Sequence, residues 1–120
     1  MSKRILVIDD SPFIFKAVKR AAEPHGYEMV GQAFNGQEGL EWVTREKPDI
    51  IILDVTMPIM DGLETAKNLQ EKNLCANVVM LSAMSDEGLV ETAKGYGVKH
   101  FLTKPFEPAD LITVLNDLAI

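Results

Sequence analysis

Short apolar runs alternate along the chain with longer segments of helical period. The runs predict five strands, at Ile5–Ile8, Met29–Ala33, Ile50–Leu53, Val78–Leu81 and Val98–Leu102. The first, third and fourth runs are nearly continuous in apolar residues, which is typical of strands covered on both faces in a parallel sheet. The second and fifth runs are more polar, so we expect them to form edge strands.

The segments between the runs predict five helices. The first opens with Ser11 and Pro12, a helix cap followed by proline in the first turn, and extends to about Glu23. The second begins after Asn35, with Glu38 three residues on as in a capping box. The other three are expected at residues 63–71, 87–94 and 108–118. Repeated strand–helix pairs with right-handed crossovers predict an α/β fold, a doubly wound parallel sheet with helices on both faces.

Composition favours one globular domain over residues 1–120. The chain is 47% hydrophobic and 25% charged, and its formal net charge of -6 argues against nucleic-acid binding. The apolar run near the N-terminus is too short for a signal peptide, and no run approaches membrane-spanning length. We therefore expect a cytoplasmic protein without membrane contact. The single cysteine, Cys75, is read as an inert thiol, and with two histidines a zinc site is not expected.

Polar residues follow four of the predicted strands at their carboxyl ends. They are Asp9 and Asp10 after the first strand, Asp54 after the third, Ser82 after the fourth, and Thr103 and Lys104 after the fifth. Ligands of open parallel sheets bind beyond these ends. One polar residue in such a loop is ordinary, but four strand ends with convergent chemistry indicate a site.

The chemistry of these residues points to a hard cation and a phosphoryl group. Carboxylates without histidine or thiolate favour Mg²⁺, which keeps waters and accepts phosphate oxygens. A cation lets Asp54 remain ionised beside Asp9 and Asp10. Asp54 then serves as the nucleophile that forms an aspartyl phosphate, with Lys104 as a point charge and Ser82 as a hydroxyl donor to the phosphoryl oxygens.

Four motifs, VIDDS, LDVTMPIMDG, LSAM and FLTKPF, resemble in order and approximate spacing those of bacterial two-component response regulator receiver domains. The resemblance covers essentially the whole chain and is to the single-domain chemotaxis type. It implies a flavodoxin-like fold with strand order 2-1-3-4-5. It also implies that a sensor histidine kinase or phosphotransfer protein phosphorylates Asp54, and that the product controls an output partner as a monomer or a phosphorylation-linked dimer.

The resemblance also implies roles for individual residues. Asp9, Asp10, Asp54 and the backbone carbonyl of Thr56 are expected to hold Mg²⁺, and Lys104 to pair with the phosphate. Ser82 matches the switch hydroxyl and Phe101 the aromatic switch position, while Ala83 leaves room for the phosphoryl group. The peptide bond between Lys104 and Pro105 is expected to be cis.

Two other functions remain open at this point. A phosphohydrolase with an aspartyl phosphate also combines Asp, Ser and Lys with Mg²⁺, but it generally has a second Asp where this chain has Thr56. A flavodoxin-like electron carrier needs hydroxyls and glycines after its first strand, where this chain has DDSP. We therefore expect a signalling switch, not a turnover enzyme.

Several positions have two interpretations. Phe101 is either the switch aromatic or a residue half packed on a helix, and Phe13 and Phe15 either mark a partner contact or pack in the core. Gly62 is read as a turn residue. Since Ile120 closely follows the last predicted helix, we expect no output domain in the chain, which is either a free-standing regulator or the receiver of a longer protein.

Overall fold

The structure is a computed structural model that describes residues 3–74, 77–82 and 87–118. Cys75 and Ala83 lie outside the described residues, as do the expectations for them. Five parallel strands form one sheet in the order β2-β1-β3-β4-β5, which confirms the predicted fold class and strand order. The strands are β1 (Arg4–Ile8), β2 (Glu28–Ala33), β3 (Ile50–Asp54), β4 (Asn77–Ser82) and β5 (His100–Thr103).

Helices cover both faces of this sheet. They are α1 (Pro12–Ala22), α2 (Gly36–Glu46), α3 (Gly62–Glu71), α4 (Glu87–Gly95) and α5 (Pro108–Asp117), with a short 3-10 turn at Glu23–His25. Alternate residues of the central strands enter two hydrophobic clusters, since successive side chains of a strand point to opposite faces. Ile5 and Val7 pack with α1 and α5, whereas Leu6 and Ile8 pack with α2, α3 and α4. No helix among the described residues has the length and apolarity needed to cross a membrane.

Two local predictions differ from the structure. The fifth strand begins at His100 and not at Val98, because Gly97 has a φ of 86° and the Val98 N–H donates to the Ala93 carbonyl at 3.1 Å. Val98 is buried, but it belongs to the turn that ends α4. At the start of α2, Asn35 accepts from the Glu38 N–H as expected, whereas Glu38 accepts from the N–H of Phe34 and not of Asn35.

Candidate acidic site at the carboxyl edge of the sheet

Three carboxylates meet where β1 and β3 end. Ile8 and Leu53 are neighbours in the register of these strands, so the residues that follow them, Asp9 and Asp54, lie side by side. One carboxylate oxygen from each of Asp9, Asp10 and Asp54 lies within 4.8 Å of the other two. Asp9 and Asp54 are buried, whereas Asp10 is exposed. The structure thus brings together the three carboxylates that the sequence predicted at one edge.

Lys104 reaches this cluster from the β5–α5 loop. Its Nζ lies 3.1 Å from Asp9 Oδ2 and 2.9 Å from Asp54 Oδ1. Its backbone N–H donates to the carbonyl of Ser82 at 2.8 Å, and the peptide bond to Pro105 is cis, as the resemblance implied. The ammonium therefore pairs with two carboxylates at once.

Backbone donors hold one oxygen of each buried carboxylate. The Ser11 N–H donates to Asp9 Oδ1 and the Val55 N–H to Asp54 Oδ1, both at 2.9 Å. In the described part of the chain, no hydrogen bond uses Asp54 Oδ2 or a carboxylate oxygen of Asp10. Asp54 is thus oriented through one oxygen, and its other oxygen is not engaged by these residues.

The electrostatics of the site follow from burial. Burial raises the pKa of Asp9 and the charge of Asp54 raises it further, although the Ser11 N–H and Lys104 act in the opposite direction. Burial lowers the pKa of Lys104, but its hydrogen bonds to Asp54 and Asp9 outweigh this effect, and the net shift is upward. With Lys104 charged, three carboxylates face one cation. This donor set fits a hard divalent cation such as Mg²⁺.

The backbone at the end of β3 and in the following loop lies close to the start of α3. The Gly62 N–H donates to the Val55 carbonyl at 2.7 Å, and a Cβ on Gly62 would lie 2.2 Å from the Asp54 carbonyl oxygen. Gly62 is therefore needed for this close approach, and the interpretation as a turn residue was incomplete. Thr56 itself is exposed.

The two predicted switch residues lie on neighbouring strands. Ser82 ends β4, is 6% exposed, and pairs with Thr103. Phe101 pairs with Met80, two residues before the end of β5, and packs half-buried against the cluster that α4 joins. The site edge thus contains Ser82, while Phe101 lies further back along the sheet.

Sequence reasoning missed one polar contact of the site. The Nε2 of Gln32 on β2 donates to the carbonyls of Asp9 and Ser11, at 2.8 and 3.1 Å. A polar residue one position before the end of the predicted run Met29–Ala33 is the signal that was available. It acquires meaning only once β2 is known to lie beside β1.

Large apolar side chains are exposed around the same edge. Phe13 is 77% exposed in the first turn of α1, and Ile59 is 80% exposed in the β3–α3 loop. Phe34, in the β2–α2 loop, is 47% exposed. Phe15, in contrast, packs against the core. Phe15 therefore packs in the core, whereas Phe13 presents an exposed ring.

Comparison with known families now identifies the chain. The family model of the response regulator receiver domain matches residues 5–116. This chain belongs to that family. Receiver domains are signalling phosphoacceptors that bind Mg²⁺ at an acidic pocket, and the comparisons support neither the phosphohydrolase nor the electron carrier.

Its relatives include free-standing receivers and longer regulators. The chain is 36% identical over 119 residues to the chemotaxis protein CheY of Thermotoga maritima, covering 99% of both. It is 40% identical to the nitrate/nitrite response regulator NarL of Escherichia coli K12, covering 96% of this chain and 54% of NarL. A chain of the CheX–CheY–BeF3–Mg²⁺ complex from Borrelia burgdorferi superposes with a TM-score of 0.89 at 29% identity, over 98% of this receiver and 90% of that chain.

Proposed function

We propose that residues 1–120 form one receiver domain in which Asp54 is the phosphoacceptor. The observation that carries this proposal is the environment of the Asp54 carboxylate. Val55 and Lys104 hold its Oδ1, while Oδ2 has no hydrogen-bond partner among the described residues. An ionised carboxylate that is oriented through one oxygen and has the other unengaged needs no general base to act as a nucleophile.

The phosphoryl donor is a phosphohistidine of a sensor histidine kinase or a phosphotransfer protein. Asp54 Oδ2 attacks phosphorus, so that an O–P bond forms while the P–N bond to the donor breaks. The electron pair of that bond remains on the imidazole nitrogen, which then takes a proton from solvent. In this proposal Lys104, which lies 2.9 Å from Asp54 Oδ1, pairs with a phosphoryl oxygen, and the Ser82 hydroxyl donates to another.

Asp9, Asp10 and Asp54, with the backbone carbonyl of Thr56, would hold Mg²⁺, the cofactor of this reaction. The bound ion would neutralise charge on the transferred phosphoryl group. This requirement follows from the charge of the pocket, since its carboxylates repel an anionic donor. The residue two positions after Asp54 is Thr56 and not an acid, so we propose that the domain catalyses only its own phosphoryl transfer and a slow dephosphorylation.

The output of the domain is a shift between two packings. In this proposal the phosphoryl group draws Ser82 towards Asp54, and Phe101 turns into the space behind it, changing the surface formed by α4, β5 and α5. An output protein that prefers this state then binds there, to a monomer or a phosphorylation-linked dimer. The family relation supports a cytoplasmic location for this exchange.

Phosphorylation with acetyl phosphate and Mg²⁺ tests the acceptor. Intact mass spectrometry should show one added phosphoryl group on the wild type, labile at alkaline pH, and none on Asp54→Asn. Asp117→Asn, an exposed carboxylate at the end of α5, is the matched control and should be labelled like the wild type. Equal labelling of Asp54→Asn would place the acceptor elsewhere.

Beryllofluoride with Mg²⁺ tests the switch by NMR. Amide resonances near Ser82, Phe101 and Lys99 should move together, and Ser82→Ala should uncouple them. Shifts confined to the residues around Asp54 would refute the switch while leaving the acceptor assignment standing.

A further inference from the structure

The turn between β1 and α1 carries two of the three clustered carboxylates. Asp9 is oriented by its backbone N–H, which donates to the Ala33 carbonyl at 3.0 Å, and by the Ser11 N–H on its Oδ1. Asp10 has no side-chain hydrogen bond within the described part of the chain. The place of its carboxylate is therefore set by the backbone of this turn.

Gln32 joins the two ends of that turn. Its Nε2 donates to the Asp9 carbonyl at 2.8 Å and to the Ser11 carbonyl at 3.1 Å, the residues on either side of Asp10. Both partners are carbonyl oxygens and accept only, so the NH₂ end of the amide must face them. One neutral side chain thus holds the backbone before and after Asp10.

The surroundings make Gln32 the main side-chain support of the turn. It is half-buried, and it pairs with Val7 of β1 on the sheet face that α1 covers. Ser11 caps α1, but its side chain makes no capping hydrogen bond. Among the described residues, only Gln32 donates a side-chain hydrogen bond to the backbone of residues 9–11.

We propose that Gln32 is a positioning residue for the Mg²⁺ site, acting through the backbone of Asp9 and Ser11. By holding both carbonyls it keeps the carboxylates of Asp9 and Asp10 directed to the same point as that of Asp54. This inference rests on the proposed Mg²⁺ site. Groups that orient metal ligands without touching the ion commonly change metal affinity by about 10–100-fold.

Calorimetric titration with Mg²⁺ tests the proposal. Gln32→Met keeps the length of the side chain but removes the donor, and it should raise the Kd about 10-fold. Gln37→Met is the matched control, since the same change falls on an exposed residue of α2, and it should leave the Kd unchanged. A wild type that binds no Mg²⁺ would overturn the proposed site itself. A wild type that binds with the same Kd as Gln32→Met would overturn only the role of Gln32.

The Mg²⁺ dependence of phosphorylation separates positioning from general support of the fold. With acetyl phosphate as donor, Gln32→Met should need about 10-fold more Mg²⁺ for half-maximal rate and should reach the wild-type maximum at saturation. A lower maximum with unchanged half-saturation would contradict a positioning role.

Two further measurements keep the test valid if Gln32→Met does not fold. Gln32→Asn retains the amide but is one methylene shorter, so that it cannot reach both carbonyls, and it should also weaken Mg²⁺ binding. In the wild type, the side-chain NH₂ resonances of Gln32 should shift during the titration with the same midpoint as the Asp10 amide. Resonances that stay fixed while Asp10 shifts would overturn the proposal.

Discussion

The two ends of the sheet each carry a cluster of cationic and carboxylate side chains. The cluster at the carboxyl end, the acidic site, consists of Lys104, Asp9, Asp10 and Asp54. The cluster at the amino end, the Arg4 cluster, consists of Arg4 and Arg45 with Glu28, Glu46 and Asp49, the last of which accepts from the Arg4 backbone N–H. They differ in burial, because the carboxylate side chains that pair with Lys104 are 0% and 10% exposed, against 61% and 35% for those paired with Arg4.

Burial changes what the same charges do. In the Arg4 cluster the guanidinium lies 3.1 Å from Glu46 and 4.0 Å from Glu28, where water screens the charges and each pair contributes little. In the acidic site the carboxylates of Asp9 and Asp54 are withdrawn from water, and Lys104 balances only part of their charge. The carboxylates paired with Arg4 keep contact with water, whereas the acidic site favours an additional cation.

Removal of Asp10 should have the largest effect and would sharpen this contrast. Asp10→Ala deletes a proposed ligand, so the Kd for Mg²⁺ should rise by about 100-fold, while relief of like-charge repulsion leaves the metal-free fold intact. Glu28→Ala removes a carboxylate from the Arg4 cluster and should not change the Kd. Calorimetry measures both, and wild-type affinity in Asp10→Ala would place the cation elsewhere.

Removing Lys104 or Arg4 compares how much the two clusters contribute to the free energy of unfolding. Lys104→Met leaves two buried carboxylates unpaired and should lower the free energy of unfolding by about 2 kcal/mol at pH 7 without metal, after discounting for the 30% exposure of the lysine. Arg4→Met should cost less than about 1 kcal/mol. Urea denaturation measures both values, and equal costs would contradict the contrast.

The pH dependence of the Lys104 contribution provides an internal check. The pKa of Lys104 is raised above its ordinary value of 10.5 in the folded state, so its stabilisation is fully present below pH 10.5. It is lost as the pH rises through the folded-state pKa. The difference between wild type and Lys104→Met should therefore be constant from neutral pH to about pH 9 and shrink in more alkaline solution.

Asp9 predicts a pH dependence of the opposite kind. Its pKa is raised, so the folded protein binds this proton more tightly than the unfolded chain, and ionisation of Asp9 reduces stability as the pH rises above 3.8. Asp9→Asn should therefore be more stable than wild type by about 1 kcal/mol at pH 7 without metal, with no advantage below pH 3.8. Denaturation curves across this range test it, with Glu28→Gln as the control for net charge. If the difference in unfolding free energy between Asp9→Asn and wild type stayed constant with pH, titration of Asp9 would not be its cause.

Salt should produce the smallest effect. The loss in unfolding free energy caused by Arg4→Met should be smaller in 1 M NaCl than at low salt by about 0.5 kcal/mol or less, because salt screens exposed ion pairs. The cost of Lys104→Met should change less in proportion, since its partners are buried. Equal proportional screening at both ends would show that water reaches the acidic site freely.

Local signals in the sequence were sufficient for the elements and for most of the acidic site. Continuous apolar runs placed β1, β3 and β4, because a strand covered on both faces needs apolar side chains at every position. Asp9, Asp10 and Asp54 stand directly after such runs, and parallel strands bring their carboxyl ends to one edge. The Asn35 cap could be predicted because its partner, the Glu38 N–H, lies only three residues away in the chain.

Only the tertiary structure decided contacts between residues far apart in the chain. Gln32 reaches Asp9 across 23 positions, and Lys104 reaches Asp9 across 95, so neither partner appears in a local pattern. β5 begins at His100, later than predicted, because Val98 belongs to the turn at Gly97, where its N–H donates to the Ala93 carbonyl of α4. The apolar side chain of Val98 would fit a strand equally well. The acidic site and the Arg4 cluster differ in burial. The burial of each charged group depends on which parts of the chain pack around it, and the charges in the sequence do not predict this.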